Sequence, residues 1–251
     1  MIALITGASS GIGRATAKIF AEKGMDLIIT GRRRDKLEEL KTEICSKGTN
    51  KIHIMEFDVR DKKSVKEVFS KLPTEFSNID ILINNAGNAH GRDFIQDGSL
   101  EDWDSMIDIN VKGLLYVSRE VIPLMVKQKS GIIINLSSIA GKEVYPQGNV
   151  YCASKHAVEA LTLGMRMDLN QYGIKVGSVA PGMVDTEFSL VRFKGDKVKA
   201  DAIYKGFDPL MAEDIAETIY FMVSRPKHVN IADVLILPTA QASGVIVNRV
   251  S

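Results

Sequence analysis

Tyr151 and Lys155 stand four residues apart, and Ser138 lies thirteen positions before the tyrosine. On a helix covering about 149–172, a phenol and an ammonium at that spacing project from one face. The segment holds no proline, and Val150, Ala153, Ala157, Ala160, Leu161 and Leu163 recur at helical spacing. A free phenol titrates near ~10, and bringing it to roughly 7 requires about 4 kcal/mol of preference for the phenolate. One cation a few ångströms away in a partly dry site supplies much of that. Such a tyrosine could exchange a proton with an alcohol or ketone at neutral pH; a surface tyrosine and lysine meeting by chance on a helix is the alternative, and this stretch alone does not decide between them.

Such a pair has to be carried by a scaffold, and the chain alternates strand and helix throughout. Strands are expected at Ile2–Thr6, Leu27–Thr30, Lys51–Phe57, Ile79–Asn84, Gly131–Leu136, Lys175–Val179 and Val234–Leu237. Most are continuous aliphatic runs, as in strands covered on both faces of a parallel sheet. Amphipathic helices are expected at Ile12–Lys23, Arg34–Ser46, Lys62–Leu72, Leu100–Val126, Asn149–Tyr172 and Ala212–Ser224. This order predicts an α/β, doubly wound (Rossmann) parallel sheet in one domain, 1–251, with helices on both faces. Only 181–209 breaks the rhythm, and its length and mixed character suggest a lid or substrate loop.

Composition narrows the function. A net charge of +1 gives no basic field for nucleic acid or an anionic membrane surface. No apolar run reaches the length of a membrane span, and no leader-like segment precedes the first strand. Cys45 and Cys152 make no disulfide framework, so reduced thiols in a cytoplasm are expected. His53, His90, His156 and His228 show no metal-ligand spacing, and no metal is expected.

After the first strand comes Gly7-Ala8-Ser9-Ser10-Gly11-Ile12-Gly13, leading into a helix. Glycines allow a tight turn and close approach to a pyrophosphate, whose charge a helix N-terminus stabilises. The expected cofactor is therefore a dinucleotide. At the tip of the second strand stand Arg32 and Arg33, where an NAD site usually offers an acid to the ribose 2′-hydroxyl. Their guanidinium forks suit a 2′-phosphate, which favours NADP. Arg34 reads as a solvated helix start. Asp58-Val59 and Asn85 with Gly87 follow the third and fourth strands, at the sheet edge where ligands bind. Asp58 is a candidate acceptor for the adenine amino group, and Asn85 and Gly87 for close approach of the adenosine ribose. Each also has an ordinary role as a turn residue.

Taken together, Thr6–Gly13, Asn84–Gly87, Asn110, Ser138, Tyr151, Lys155 and Pro181-Gly182 with Thr186 resemble the short-chain dehydrogenase/reductase family over nearly the whole chain. The resemblance implies Tyr151 as acid/base and Ser138 as hydrogen-bond partner of the substrate oxygen. Ser137 is the neighbouring alternative, less well spaced from Tyr151. It implies Lys155 on the nicotinamide ribose, and Asn110 fixing a water that continues the proton path. Thr186 would meet the carboxamide, with Pro181, Gly182 and Val184 lining the nicotinamide.

Arg32-Arg33, Asn149-Val150-Tyr151, Gly182–Ser189 and Val191–Asp196 further resemble the NADP-dependent 3-hydroxy acid dehydrogenases, which act on serine, allo-threonine or 3-hydroxypropionate. Reduction of another carbonyl class, such as 3-oxoacyl thioesters, is the alternative on the same scaffold. Small hydroxy acids carry a carboxylate, so a cation is expected on the substrate side, and Arg192 is the candidate, with Lys194 beside it. Either can equally be a solvated loop charge or a subunit contact. The family commonly forms tetramers, and the apolar tail 240–250 fits either a subunit interface or burial on its own subunit.

Overall fold

The computed structural model describes residues 1–250; Ser251, the last residue of the expected domain, lies outside the described residues. Strands β1 (Ile2–Ile5), β2 (Asp26–Gly31), β3 (Ile52–Glu56), β4 (Ile81–Asn84), β5 (Gly131–Leu136), β6 (Ile174–Pro181) and β7 (Asp233–Ile236) form one sheet in the order β3-β2-β1-β4-β5-β6-β7. Every pairing is parallel. Chain order reverses between β1 and β4, so the two exits diverge there and leave a crevice at the carboxyl edge.

The connecting helices are α1 (Gly11–Glu22), α2 (Arg34–Cys45), α3 (Lys62–Ser70), α4 (Leu100–Ile107), α5 (Leu114–Gln128), α6 (Asn149–Leu169), α7 (Glu187–Arg192), α8 (Lys197–Ala202) and α9 (Ala212–Val223). Alternation along the strands sends side chains to two cores. Ala3, Ile5, Leu27 and Ile29 meet Phe20 of α1, Leu37 and Leu40 of α2 and Ile215 and Ile219 of α9. On the opposite face Leu4, Ile28, Leu82 and Ile133 meet Val65 of α3 and Val117, Val121 and Met125 of α5. Each such side chain contributes about 1.5–3 kcal/mol by leaving water. The doubly wound architecture expected from the aliphatic runs is the one found.

Two regions differ from expectation. The helix expected over Leu100–Val126 is interrupted by a π-helical segment at Asp108–Gly113. Hydrophobic periodicity is blind to such a segment, because one wider turn barely moves the apolar stripe. The stretch 181–209 contains two short helices, α7 and α8, started by the side chains of Thr186 and Asp196. Each has only six residues, too few to show a period. Cys45 and Cys152 are both free thiols, on α2 and α6.

Candidate active site

A cleft of about 600 Å³ runs along the carboxyl edge over the divergence of β1 and β4. Gly7, Ser9, Ser10, Gly11 and Ile12 form its floor at one end. Gly7 and Gly11 take left-handed backbone, with φ of 67° and 51°. At Gly13 a Cβ would come within 2.5 Å of the Gly7 carbonyl oxygen, so only glycine lets α1 start this close to the loop. No side chain caps α1, which leaves its first N–H groups facing the cleft. An uncapped helix N-terminus under a close backbone turn fits a pyrophosphate.

Arg33 extends over this floor. Its guanidinium donates to Ser10 Oγ (2.7 Å) and Ser9 Oγ (3.2 Å) and pairs with Glu187 at 3.1 Å. Arg32 is more exposed and lies 3.6 Å from Asp58. Arg34, the first residue of α2, faces away and pairs with Glu38 and Glu56. Asp58 lines the cleft, and both its carboxylate oxygens already receive the Arg60 guanidinium, at 2.6–3.1 Å. Two residues' separation allows that bidentate pair, and it competes with an adenine amino group for the same lone pairs. Val59 lines the cleft beside it.

Asn85 also turns inward. Its side-chain amide donates to Thr6 O (2.8 Å) and Gly7 O (3.3 Å), tying the exit of β4 to the glycine loop. Gly87 follows, and a Cβ there would lie 3.0 Å from Asn110 Oδ1 and 3.5 Å from Lys155 Nζ. Asn110 sits in the π-helical segment. Its side chain accepts from Asn88 N (2.9 Å) and donates to Asn88 O (2.8 Å) and Ser154 Oγ (3.0 Å). Both amide hydrogens are thereby engaged, and one lone pair of Oδ1 remains.

At the far end of the cleft, β5 delivers Ser137 and Ser138, and α6 delivers Tyr151 and Lys155 on its first two turns. Ser138 Oγ caps a short turn by accepting from Ala140 N (3.1 Å), while the buried Ser137 hydroxyl has no partner among the described residues. Tyr151 and Lys155 are both buried, at 7% and 6% exposure. The Lys155 ammonium donates to Leu136 O (2.8 Å) and lies 6.0 Å from the centroid of the Tyr151 ring.

Burial opposes the lowering expected of Tyr151 in this pair. Burial pushes the Tyr151 phenol well above its ordinary range, and Tyr145 adds to the rise, while a hydrogen bond from Ser138 and the charge of Arg192 oppose it. Burial also pulls Lys155 down to about 8, against the attraction of Glu159. Desolvation penalises both charged forms and exceeds what a cation near the ring returns. In the protein alone the phenol is held protonated.

Pro181, Gly182, Val184 and Thr186 line the remaining wall. The Thr186 side chain caps α7, with its methyl group placed 3.5 Å from where a Cβ on Gly11 would be. Gln241 was not anticipated here. It is buried, accepts from Met183 N (2.8 Å) through Oε1, and so anchors the wall to the C-terminal segment. Arg192 comes from the last turn of α7 and lies over Tyr151, with its guanidinium carbon 5.5 Å from the ring centroid. It donates to Tyr145 Oη (3.2 Å) and Gly91 O (3.3 Å), and pairs with no carboxylate among the described residues. Tyr145 was likewise missed. Lys194 turns away to Asp102, at 2.9 Å.

The cleft thus brings a tyrosine, a serine and a lysine together at the end opposite the glycine loop, groups able to exchange a proton with a substrate oxygen. The family model described as short chain dehydrogenase matches residues 1–196. The chain belongs to the short-chain dehydrogenase family. This short-chain dehydrogenase is 46% identical over 242 residues to sulfoacetaldehyde reductase 2 of Chromohalobacter salexigens, covering 96% of this chain and 95% of that one. It is 43% identical over 239 residues to serine 3-dehydrogenase of Agrobacterium fabrum, with 95% and 94% covered. The NADP-dependent 3-hydroxy acid dehydrogenase YdfG of Escherichia coli matches at 43% over 251 residues, covering 99% and 100%. Among solved structures, the closed form of serine dehydrogenase complexed with NADP+ superposes with a TM-score of 0.94 at 42% identity, over the full length of both chains. The short-chain dehydrogenase described here is accordingly an oxidoreductase acting on hydroxyl or carbonyl carbon.

Proposed function

We propose that this enzyme interconverts a short 3-hydroxy acid and its carbonyl partner with NADP, through a Tyr151-centred proton transfer. The observation that carries the substrate class is Arg192: a guanidinium without a carboxylate partner among the described residues, 5.5 Å from the Tyr151 ring centroid. A carboxylate two carbons from the reacting hydroxyl would meet that guanidinium with the hydroxyl at the phenol. Relatives named for serine, for 3-hydroxy acids and for sulfoacetaldehyde all act on small molecules bearing an anion. A sulfonate is the second reading, because the relative with 46% identity is a sulfoacetaldehyde reductase and a guanidinium binds either anion.

The chain's residues divide the work. The glycine loop with Ser9, Ser10 and Ile12 and the start of α1 cradles the pyrophosphate, and Arg32 and Arg33 receive the 2′-phosphate. Asp58, Val59, Asn85 and Gly87 border the adenosine half; Pro181, Gly182, Val184 and Thr186 border the nicotinamide half. NADP held by these residues would supply or accept the hydride, and its oxidised ring would add a positive charge beside the buried Tyr151. In carbonyl reduction the protonated phenol gives its proton to the developing alkoxide while Ser138 donates to the same oxygen. Lys155 holds the ribose, and Asn110, near the same Gly87, fixes a water that continues the proton path. Leu163 and Met167 on α6 and Val245 and Ile246 in the tail are exposed apolar side chains, which supports assembly as a homotetramer.

Initial rates with NADP or NAD test the assignment against L-serine, L-allo-threonine, 3-hydroxypropionate, 2-hydroxyethanesulfonate and an alcohol lacking the anion. Turnover confined to NADP and the carboxylates supports it. Preference for the sulfonate selects the second reading, and turnover only of uncharged or bulky substrates overturns both.

A further inference from the structure

We propose that Tyr145 is a positioning residue for substrate binding, holding the Arg192 guanidinium beside Tyr151 before an anion arrives. The proposal rests on the assignment of Arg192 to the substrate carboxylate. Arg192 ends α7, a helix of only six residues, and its side chain crosses to two other segments. Nε donates to Gly91 O (3.3 Å), beyond β4, and Nη1 donates to Tyr145 Oη (3.2 Å), in the turn between β5 and α6. The guanidinium carbon lies 5.7 Å from the Tyr145 ring centroid and 5.5 Å from that of Tyr151, so both rings stand beside it. The Tyr145 hydroxyl has no other hydrogen-bond partner among the described residues.

Tyr145 is itself held in place. Its ring packs on Gly148, where a Cβ would collide with it, and a Cβ on Gly244 of the C-terminal segment would lie 3.4 Å from Cδ1. An unrestrained arginine has many rotamers to lose on binding, and one restrained beforehand loses fewer. The chemistry of the two holders matters as much as their position. A phenol and a main-chain carbonyl are neutral, and burial keeps the Tyr145 phenol protonated. They fix the guanidinium without cancelling its charge, and three of its five N–H donors have no acceptor among the described residues. Lys194, two residues on, is paired with Asp102 (2.9 Å), and Arg33 with Glu187 (3.1 Å), so neither offers an uncompensated cation in this way.

Steady-state kinetics with NADP, on 3-hydroxypropionate and on the matched alcohol lacking the carboxylate, test this in Tyr145→Phe, Arg192→Met and the double variant. Phe keeps the ring and removes only the hydroxyl. Tyr145→Phe is expected to lower the acid-over-alcohol ratio of kcat/KM by about tenfold, the loss of one hydrogen bond to a charged group. The change should fall on KM for the acid, with kcat within about twofold. In the Arg192→Met background the same substitution is expected to change the ratio by less than about twofold, because the group it positions is gone. An unmoved ratio in Tyr145→Phe, alongside a collapsed one in Arg192→Met, overturns this proposal and leaves the role of Arg192 standing. An equal fall on acid and alcohol overturns it as well, being the mark of a general structural role. So does a tenfold fall that persists without Arg192, since the phenol then acts on the substrate directly. A ratio unmoved in Arg192→Met ends the carboxylate assignment and this proposal with it.

Discussion

Asn110 and Asn88 are joined twice: the Asn88 main-chain N–H donates to Asn110 Oδ1 at 2.9 Å, and Asn110 Nδ2 donates back to the Asn88 carbonyl at 2.8 Å. The side chain replaces a strand neighbour that this segment beyond β4 lacks. Replacing Asn110 by Ala leaves a buried N–H and C=O without partners, each costing about 1–3 kcal/mol. Urea denaturation is expected to show a loss of about 2–4 kcal/mol. A loss below about 0.5 kcal/mol would mean that the segment rearranges freely.

Tyr151 is the proposed proton donor, and Phe keeps its ring against Phe188, whose centroid is 5.7 Å away. Tyr151→Phe is expected to lower kcat by about 10²–10⁴-fold, the usual share of general acid catalysis. NADPH binding, followed by fluorescence titration, should stay within about threefold of wild type. An unchanged kcat would remove the phenol from the mechanism.

Lys155 gives a pH dependence of stability with a definite sign. Its ammonium is held near 8 in the folded chain and near 10.5 when unfolded. Between those values the unfolded chain binds more protons, so this group's contribution to stability rises with pH. Below about 8 the burial penalty is present in full, on the order of 3 kcal/mol. Lys155→Met is therefore expected to be more stable than wild type at pH 7 by about 1–3 kcal/mol, with the gap closing as pH rises toward 10.5. Urea melts of both proteins at pH 7 and pH 10 check this, and a gap that widens with pH contradicts it.

Arg33 lies over the glycine loop through Ser9 and Ser10. Losing its charge-assisted hydrogen bonds to a 2′-phosphate costs about 1.5–3 kcal/mol. Arg33→Ala is expected to raise KM for NADP by about 10–100-fold while leaving kinetics with NAD within about threefold. Equal effects on both cofactors would assign Arg33 to the pyrophosphate instead.

The architecture was legible because parallel strands covered on both faces must be aliphatic throughout, as Leu82 and Ile83 are in β4. The positions of Gly7, Gly11 and Gly13 were legible for a similar reason: backbone geometry there excludes a side chain. Electrostatics were less so. Spacing placed Lys155 beside Tyr151, but the sign of the tyrosine shift depends on how dry the pocket is, which spacing does not encode. The pairing of Asp58 with Arg60, two residues on, is a contact that the spacing alone did not show. Gln241 and Tyr145 act on the site from distant segments, and local patterns carry no trace of such contacts.

The central claim is that Arg192 selects a small anionic substrate for Tyr151. Steady-state kinetics of Arg192→Met, with 3-hydroxypropionate and with a matched alcohol lacking the carboxylate, test it directly. The account predicts that kcat/KM for the acid falls by roughly 100-fold, the loss of one buried charged contact of about 3 kcal/mol, while the neutral alcohol changes by less than about threefold. An equal fall on both substrates, or an unchanged rate on the acid, would contradict it.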